Sequence, residues 1–414
     1  MDRNVRWLGM GSVLRSAGLS LVLPFLVLYL RRVLALGYVE IGILVALTGV
    51  VPILIVPFAG LLTDRAGRRR VFLLALAAEA VSFVALGEAM QARSLVEVFG
   101  LATGVQIVGT IAGPAISAYV ADFAHGSDRT MGFTWVRIGG NVGFTVGVLS
   151  GGVLIGWVGF VDVALFAGFV LLGSTGLLAV FLDPSPYDLA RVGRLAGAPV
   201  PEASARPGSI RESLSILARD RPFLGLCGAV GLAALTVGQW GTIFPLYVNT
   251  VLGIPYAILG AGLSLNGLVV VFGQAPMTRA SLGHRHTTLL LLGFAAYAGG
   301  FLLFGLVGQF SLFLIPAFFV VVFVLTIGEN LESIPFTTLP SNLAPVTEIG
   351  AYNGVFSAIV GVGYVVSPVL GGAVLATSAS PLLVWGILVA PAVPAGAILA
   401  LYVTPRLRAE ANRA

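Results

Sequence analysis

Five ionisable side chains interrupt stretches that are otherwise apolar: Arg15, Glu79, Arg137, Glu329 and Glu332. A charge held in hydrocarbon costs about 2.5–3.5 kcal/mol on insertion scales, so such residues face a partner or a water-filled cavity. Glu329 and Glu332 are three apart, which places both on one face of a helix. A carboxylate in such surroundings can take up and release a proton, and these two are the first candidates for that chemistry. Arg15 and Arg137 offer cations, either to pair with those carboxylates or to hold a polar or anionic ligand.

A second concentration of charge is GLLTDRAGRRR, residues 60–70, where Asp64, Arg65, Arg68, Arg69 and Arg70 fall between two long apolar runs. Only 10% of the 414 residues are charged and 57% are hydrophobic. Such a chain cannot cover itself with a charged exterior, and its apolar surface must face a bilayer. The net charge of +5 comes from arginines clustered at the ends of apolar runs, a pattern of membrane topology rather than of nucleic-acid binding. Lysine is absent, so Schiff-base chemistry is excluded, and one cysteine permits neither an intrachain disulfide nor a thiolate metal centre. His284 and His286 have an HxH spacing without an evident third ligand. No nucleophile–base pair, nucleotide loop or zincin pattern appears, so the sequence predicts no enzyme and no metal or organic cofactor.

Stretches of 20 or more mainly apolar residues can cross a bilayer as helices. The chain contains twelve, from Trp7–Leu30 to Pro381–Val403. They divide six and six around a polar interval rich in Pro, Ala, Ser and Arg, which predicts an N-terminal bundle over 1–183, a linker over 184–220 and a C-terminal bundle over 221–414. Within the linker, IRESLSILARD has the pattern of a short amphipathic helix. Most arginines fall on one side of the membrane if both termini are cytoplasmic, which the positive-inside rule favours. The halves also align at an offset of 220: Gly143 matches Gly363, and Gly151-Gly152 matches Gly371-Gly372. Such internal similarity is a feature of transporters built from repeats.

GLLTDRAGRRR resembles the loop signature G-x-x-x-D-R-x-G-R-R between the second and third helices of the major facilitator superfamily, matched by Gly60, Asp64, Arg65, Gly67, Arg68 and Arg69. The glycines of the fifth span, Gly143, Gly147, Gly151 and Gly152, are similar to the antiporter motif of the drug-efflux branch, with Val148 in place of a proline. In the eleventh span Pro368 stands beside Gly371 and Gly372. The family's arginine in the fourth helix is missing, and Gln106 is the strongest polar group there. The resemblance implies an all-α membrane protein of two pseudo-symmetric six-helix bundles. It implies that Asp64 meets the start of the eleventh helix, that Arg68 pairs with Asp122, and that these contacts act as a gate. Arg69 and Arg70 are read as topology signals alone. Because helices 1, 4, 7 and 10 line the family's central cavity, Arg15, Gln106, Gln239, Trp240, Glu329 and Asn330 are implied as its wall. Arg137 and Asn141, on the fifth span, are further polar candidates. Glu79 lies on the third helix, peripheral in the family, and is placed behind Glu329 and Glu332 as a proton carrier.

These features predict a secondary active transporter working by alternating access, with proton-coupled efflux of small amphipathic compounds as the leading reading. It would need a proton gradient, a small-molecule substrate and a lipid bilayer, and it is expected as a monomer in the plasma membrane. The alternatives are an uptake symporter for a polar or anionic metabolite and a non-transporting membrane receptor. Arg15 and Arg137, in the N-terminal half, are expected to pair with Glu329 of the C-terminal half when the cytoplasmic side is closed and to part when it opens.

Overall fold

In a computed structural model the chain is almost entirely helical, as it must be if hydrocarbon surrounds it: only helices and closed barrels satisfy every backbone polar group there. The structure describes residues 2–123, 127–189, 216–307, 313–345, 348–377 and 380–413, without the side chains at 53, 56, 57, 60, 61, 64, 127–130 and 307. Ten helical stretches among these residues are long and apolar enough to cross a membrane. In order they begin with α1 (Arg3–Arg32), followed by α2 (Tyr38–Ala66), whose described apolar stretch is shorter, then α3 (Arg68–Gln91) and α4 (Leu95–Phe123). The run Ser127–Phe181 is two helices, α5 (127–158) and α6 (160–181), broken where Gly159 adopts φ 88 and ψ 174. An L-residue side chain rarely tolerates that backbone, so glycine sets the corner. The remainder are α7 (Arg221–Val251), α8 (Tyr256–Ser281), α9 (His286–Val307), α10 (Leu314–Leu343), α11 (Ile349–Thr377) and α12 (Pro381–Arg406). With α2 included and the break at Gly159 recognised, the order is the twelve-helix order expected.

The chain divides into two compact units, Met1–Ala35, Leu47–Ser204 and Pro255–Gly267 in one, Leu36–Ala46, Ala205–Ile254 and Leu268–Ala414 in the other. In the first unit the glycines of α5 decide the packing. A methyl group at Gly139, Gly143, Gly147 or Gly151 would strike the carbonyl oxygen of Gly9, Val13, Ala17 or Leu21 respectively, all on α1. Spaced by four, these glycines form one stripe, and the backbones meet along it. Gly152, one position round the helix, takes Tyr256 and Gly260 of α8 in the same manner.

In the second unit the aligned glycines of α11 do corresponding work. Gly363 packs against Gly231 and Ala234 of α7, Gly371 against Gln239 and Ile243 of α7, and Gly372 against Tyr38 at the start of α2. The offset of 220 seen in the sequence is thus an offset of contacts. Around α7 an aromatic core gathers Phe244, Phe301, Phe304, Phe318 and Trp385, with Phe301 and Trp385 stacked at 4.7 Å between centroids.

Of the linker, Pro186–Leu189 and 216–219 are helical, and the rest of IRESLSILARD lies outside the described residues. The second short helix leads directly to α7, whose first turn is capped by Asp220 accepting from the Phe223 amide at 3.0 Å.

The α5 stripe yields a test with a sign. Alanine is the better helix former by about 0.8–1.0 kcal/mol, so Gly104→Ala, where a Cβ meets nothing within 4 Å, should leave thermal stability in detergent unchanged or raised. Gly147→Ala should lower it, because backbone on α1 cannot move aside and overpacking costs about 1–3 kcal/mol. A Gly147→Ala protein as stable as Gly104→Ala would mean that α1 and α5 are not in backbone contact.

Candidate functional site

The α1 stripe at 9, 13, 17 and 21 faces α5, so residue 15, displaced about 200° from residues 13 and 17, points to the opposite side of α1. There it meets α3. Arg15 Nε donates to Glu79 Oε2 at 2.7 Å, and Arg15 Nη2 donates to Glu79 Oε1, a two-pronged ion pair. Glu79 is fully buried and the arginine side chain is 20% exposed, so the carboxylate depends on this guanidinium while the arginine keeps an edge toward open space. Gly109 of α4 lies against both groups, and a Cβ there would come 3.4 Å from Arg15 Nη2 and 3.5 Å from Glu79 Oε1. Arg15 therefore pairs inside its own unit. Glu79, placed behind Glu329 and Glu332 from the sequence, is its partner here, and its acid group is the most deeply buried of the three proton candidates.

The other candidates are dispersed. In the first unit Gln106 and Arg137 are exposed, and Asn141, half-buried, contributes its backbone carbonyl to the Thr145 hydroxyl. The Arg137 side chain makes no hydrogen bond or ion pair among the described residues. In the second unit Gln239 is fully buried, and its amide nitrogen donates to the carbonyls of Leu235 at 2.8 Å and Ser367 at 3.0 Å. With Gly371 closing over it, Gln239 fastens α7 to α11 and has no exposed edge for a ligand. Trp240 is half-buried against Phe244, and the Asn330 amide, nearly buried, reaches the Val269 carbonyl at 3.5 Å. Glu332 lies against Gly293 of α9, and its Oε2 is buried with no hydrogen-bond partner among the described residues. Glu329, one turn before it, is half-buried.

At the end of the first unit where α3 begins, the loop signature is assembled as expected in one respect: Arg68 donates to Asp122 at the end of α4. Gly67 has φ 95, the left-handed region that the turn between α2 and α3 requires. The side chain of Asp64 and the surroundings of Gly60 lie outside the described residues, so the contact expected of Asp64 is not seen; Arg65 is exposed.

A further element of this end was not foreseen. Past α6 the chain turns back over α3, and Asp188 accepts from the backbone amides of Arg68 at 2.7 Å and Arg69 at 3.1 Å. It places a carboxylate on the unpaired amides at the start of α3, where Gly67 supplies no side-chain cap. Tyr187 lies under the Arg68 guanidinium at 4.1 Å. Arg69 donates to the carbonyls of Leu182 at 2.8 Å and Ala179 at 2.6 Å, a cation at the negative end of α6. Its reading as a topology signal alone is corrected, because it closes the end of a neighbouring helix. Beside it the Arg3 guanidinium and Asn4 amide donate to Asp183 and hold its carboxyl below the usual carboxylate range. The Asp-Pro-Ser-Pro-Tyr-Asp run at 183–188 carried a turn signal, but nothing in its spacing names α3 as the partner.

Comparison with known proteins agrees with this architecture. The profile of the Major Facilitator Superfamily matches residues 8–356. An uncharacterized transporter of that type, YqjV of Bacillus subtilis (strain 168), is 24% identical over 375 residues, covering 87% of this chain and 84% of the relative. The class C tetracycline resistance protein of Escherichia coli is 27% identical over 292 residues, 70% of each chain. Among solved structures, the nucleoside transporter NupG superposes with a TM-score of 0.77 at 14% identity, covering 96% of this chain and all of that one. The helix order, the loop signature assembled around Gly67 and Arg68, and a profile match over most of the length show that the chain belongs to the Major Facilitator Superfamily.

Proposed function

We propose that this protein exports small amphipathic compounds in exchange for protons. The observation that carries the reading is the Arg15–Glu79 pair: a fully buried carboxylate whose described charge partner is one arginine with an open edge. A proton on Glu79 removes the negative charge that neutralises Arg15 and weakens two charge-assisted hydrogen bonds. That leaves a buried cation in search of water, substrate or another acceptor. Proton binding and rearrangement of α1 against α3 are thereby linked, which is what coupling requires. Similarity to a tetracycline resistance protein supports efflux as the direction. Glu332, with a buried oxygen lacking a described partner, and Glu329 beside it are a second pair of proton-binding groups. No enzymatic step is part of this reading.

Both termini are placed in the cytoplasm of a plasma-membrane protein, a reading supported by the arginine distribution. In a Cys227→Ala background, Ala409→Cys, an exposed position after α12, should react with a membrane-impermeant maleimide in everted vesicles and resist it in intact cells. Labelling of intact cells would reverse the orientation.

The coupling proposal is tested with tetracycline and a quinolone in everted vesicles carrying a fluorescent pH reporter. Glu79→Gln retains the volume and part of the hydrogen bonding. It should abolish substrate-induced proton movement and uphill transport while leaving substrate binding within severalfold of wild type and independent of pH. Glu79→Gln vesicles that still move protons with substrate would exclude Glu79 as the carrier, and the same measurement on Glu329→Gln and Glu332→Gln would then identify it.

A further inference from the structure

The second unit holds a cavity of about 500 Å³ that belongs to none of the transport machinery described above. It opens where α7 starts, α10 ends, α11 starts and α12 ends, and it is walled by Asp220, Asn342, Tyr352, Arg406, Arg408 and Ala411 among others. The apolar spans of α7 and α12 are bounded by Arg221 and Arg406, so the cavity sits at the level where hydrocarbon gives way to headgroups and water.

Its wall carries charges of both signs. Two of them are guanidiniums. Arg406 is held in place, its Nη1 donating to the Tyr402 carbonyl at 2.9 Å and its plane lying over the Tyr402 ring at 4.2 Å, which leaves its other donors for a ligand. The Arg408 side chain is exposed and makes no hydrogen bond or ion pair among the described residues. The wall also holds a carboxylate. Asp220 has one oxygen on the Phe223 amide and the other on the Tyr352 hydroxyl at 2.8 Å, so its carboxylate is fixed in position and keeps further lone pairs. Beside it the end of α10, at Leu343 and Ala344, presents the negative pole of a 30-residue helix. The volume is within the range of small-molecule sites and larger than an inorganic anion fills. A ligand that carries both an anion and a cation within this volume matches the wall.

We propose that this cavity seats a phosphodiester joined to a primary ammonium, the headgroup of an aminophospholipid, with the phosphate on Arg406 and Arg408 and the ammonium toward Asp220. Basic pockets at the ends of membrane helices are suited to lipid phosphates, and the fixed carboxylate adds selection for the amine.

The test uses the purified full-length protein in mild detergent, offered an equimolar mixture of phosphatidylethanolamine, phosphatidylglycerol and phosphatidylcholine. Retained lipids are counted by native mass spectrometry. Wild type should retain phosphatidylethanolamine in preference to both others. The double variant Arg406→Gln, Arg408→Gln should lose about tenfold in retention of phosphatidylethanolamine and phosphatidylglycerol alike. Asp220→Asn, which can still cap α7, should retain phosphatidylethanolamine and phosphatidylglycerol equally. Thermal unfolding in lipid-free detergent checks that each variant is folded; if the double variant is not, Arg408→Gln alone replaces it, with the same direction of loss. Displacement by soluble phosphoethanolamine would show that the headgroup chemistry suffices, and no displacement would assign the ligand to the lipid itself. Equal retention of the three lipids by wild type, or undiminished phosphatidylethanolamine on the folded arginine variant, would overturn the proposal.

Discussion

The contact on which the first unit depends is the backbone-to-backbone approach of α1 and α5. Four glycines spaced by four residues remove every side chain from one face of α5, and α1 settles its carbonyls into the space. In a bilayer this is an economical way to hold helices, since burying apolar side chains against each other gains little over burying them in lipid. The approach also fixes rotation. With residues 13 and 17 of α1 committed to α5, residue 15 has one side left, and Arg15 meets Glu79 and Gly109 there. The position of the buried charge thus follows from the position of the glycines.

The same reasoning explains why a carboxylate survives inside this unit. An unpaired acid at that depth would be strongly disfavoured in its ionised form, and removing one member of a buried pair costs about 3–5 kcal/mol. Two hydrogen bonds from a planar guanidinium offset the loss of water, and Gly109 keeps the space beside them free of side chains. In the proposed coupling, stability and responsiveness come from one feature: the pair that holds α1 to α3 is the one a proton on Glu79 would undo.

Much of the architecture could be read from the sequence because its signals are local or periodic. Apolar length gave the spans, the loop signature placed a glycine at the turn where Gly67 has φ 95, and the repeat at an offset of 220 carried through to equivalent helix contacts at Gly143 and Gly363, Gly151 and Gly371, Gly152 and Gly372. The pairing of Arg68 with Asp122 came from the family signature, which already encodes a tertiary contact. Partners without such a signature were missed. Glu79 is 64 residues from Arg15, and finding it as a partner requires knowing which face of α1 is occupied. Asp188 is 120 residues from the amide of Arg68 that it caps, on a run whose composition says only that the chain turns. Gln239 read as a polar group available to a cavity; its commitment to the carbonyls of Leu235 and Ser367 depends on Gly371 of a helix more than a hundred residues away.

That Glu79 is the group whose protonation releases Arg15 is most directly tested by infrared difference spectroscopy of the purified protein in lipid, recorded between neutral and acidic pH. Wild type is predicted to gain a protonated-carboxyl C=O band that is missing from Glu79→Gln and is shifted in Arg15→Gln, where the same acid has lost its partner. A band that persists unchanged in Glu79→Gln and disappears in Glu329→Gln or Glu332→Gln would contradict this, and would move the exchangeable proton to the second unit.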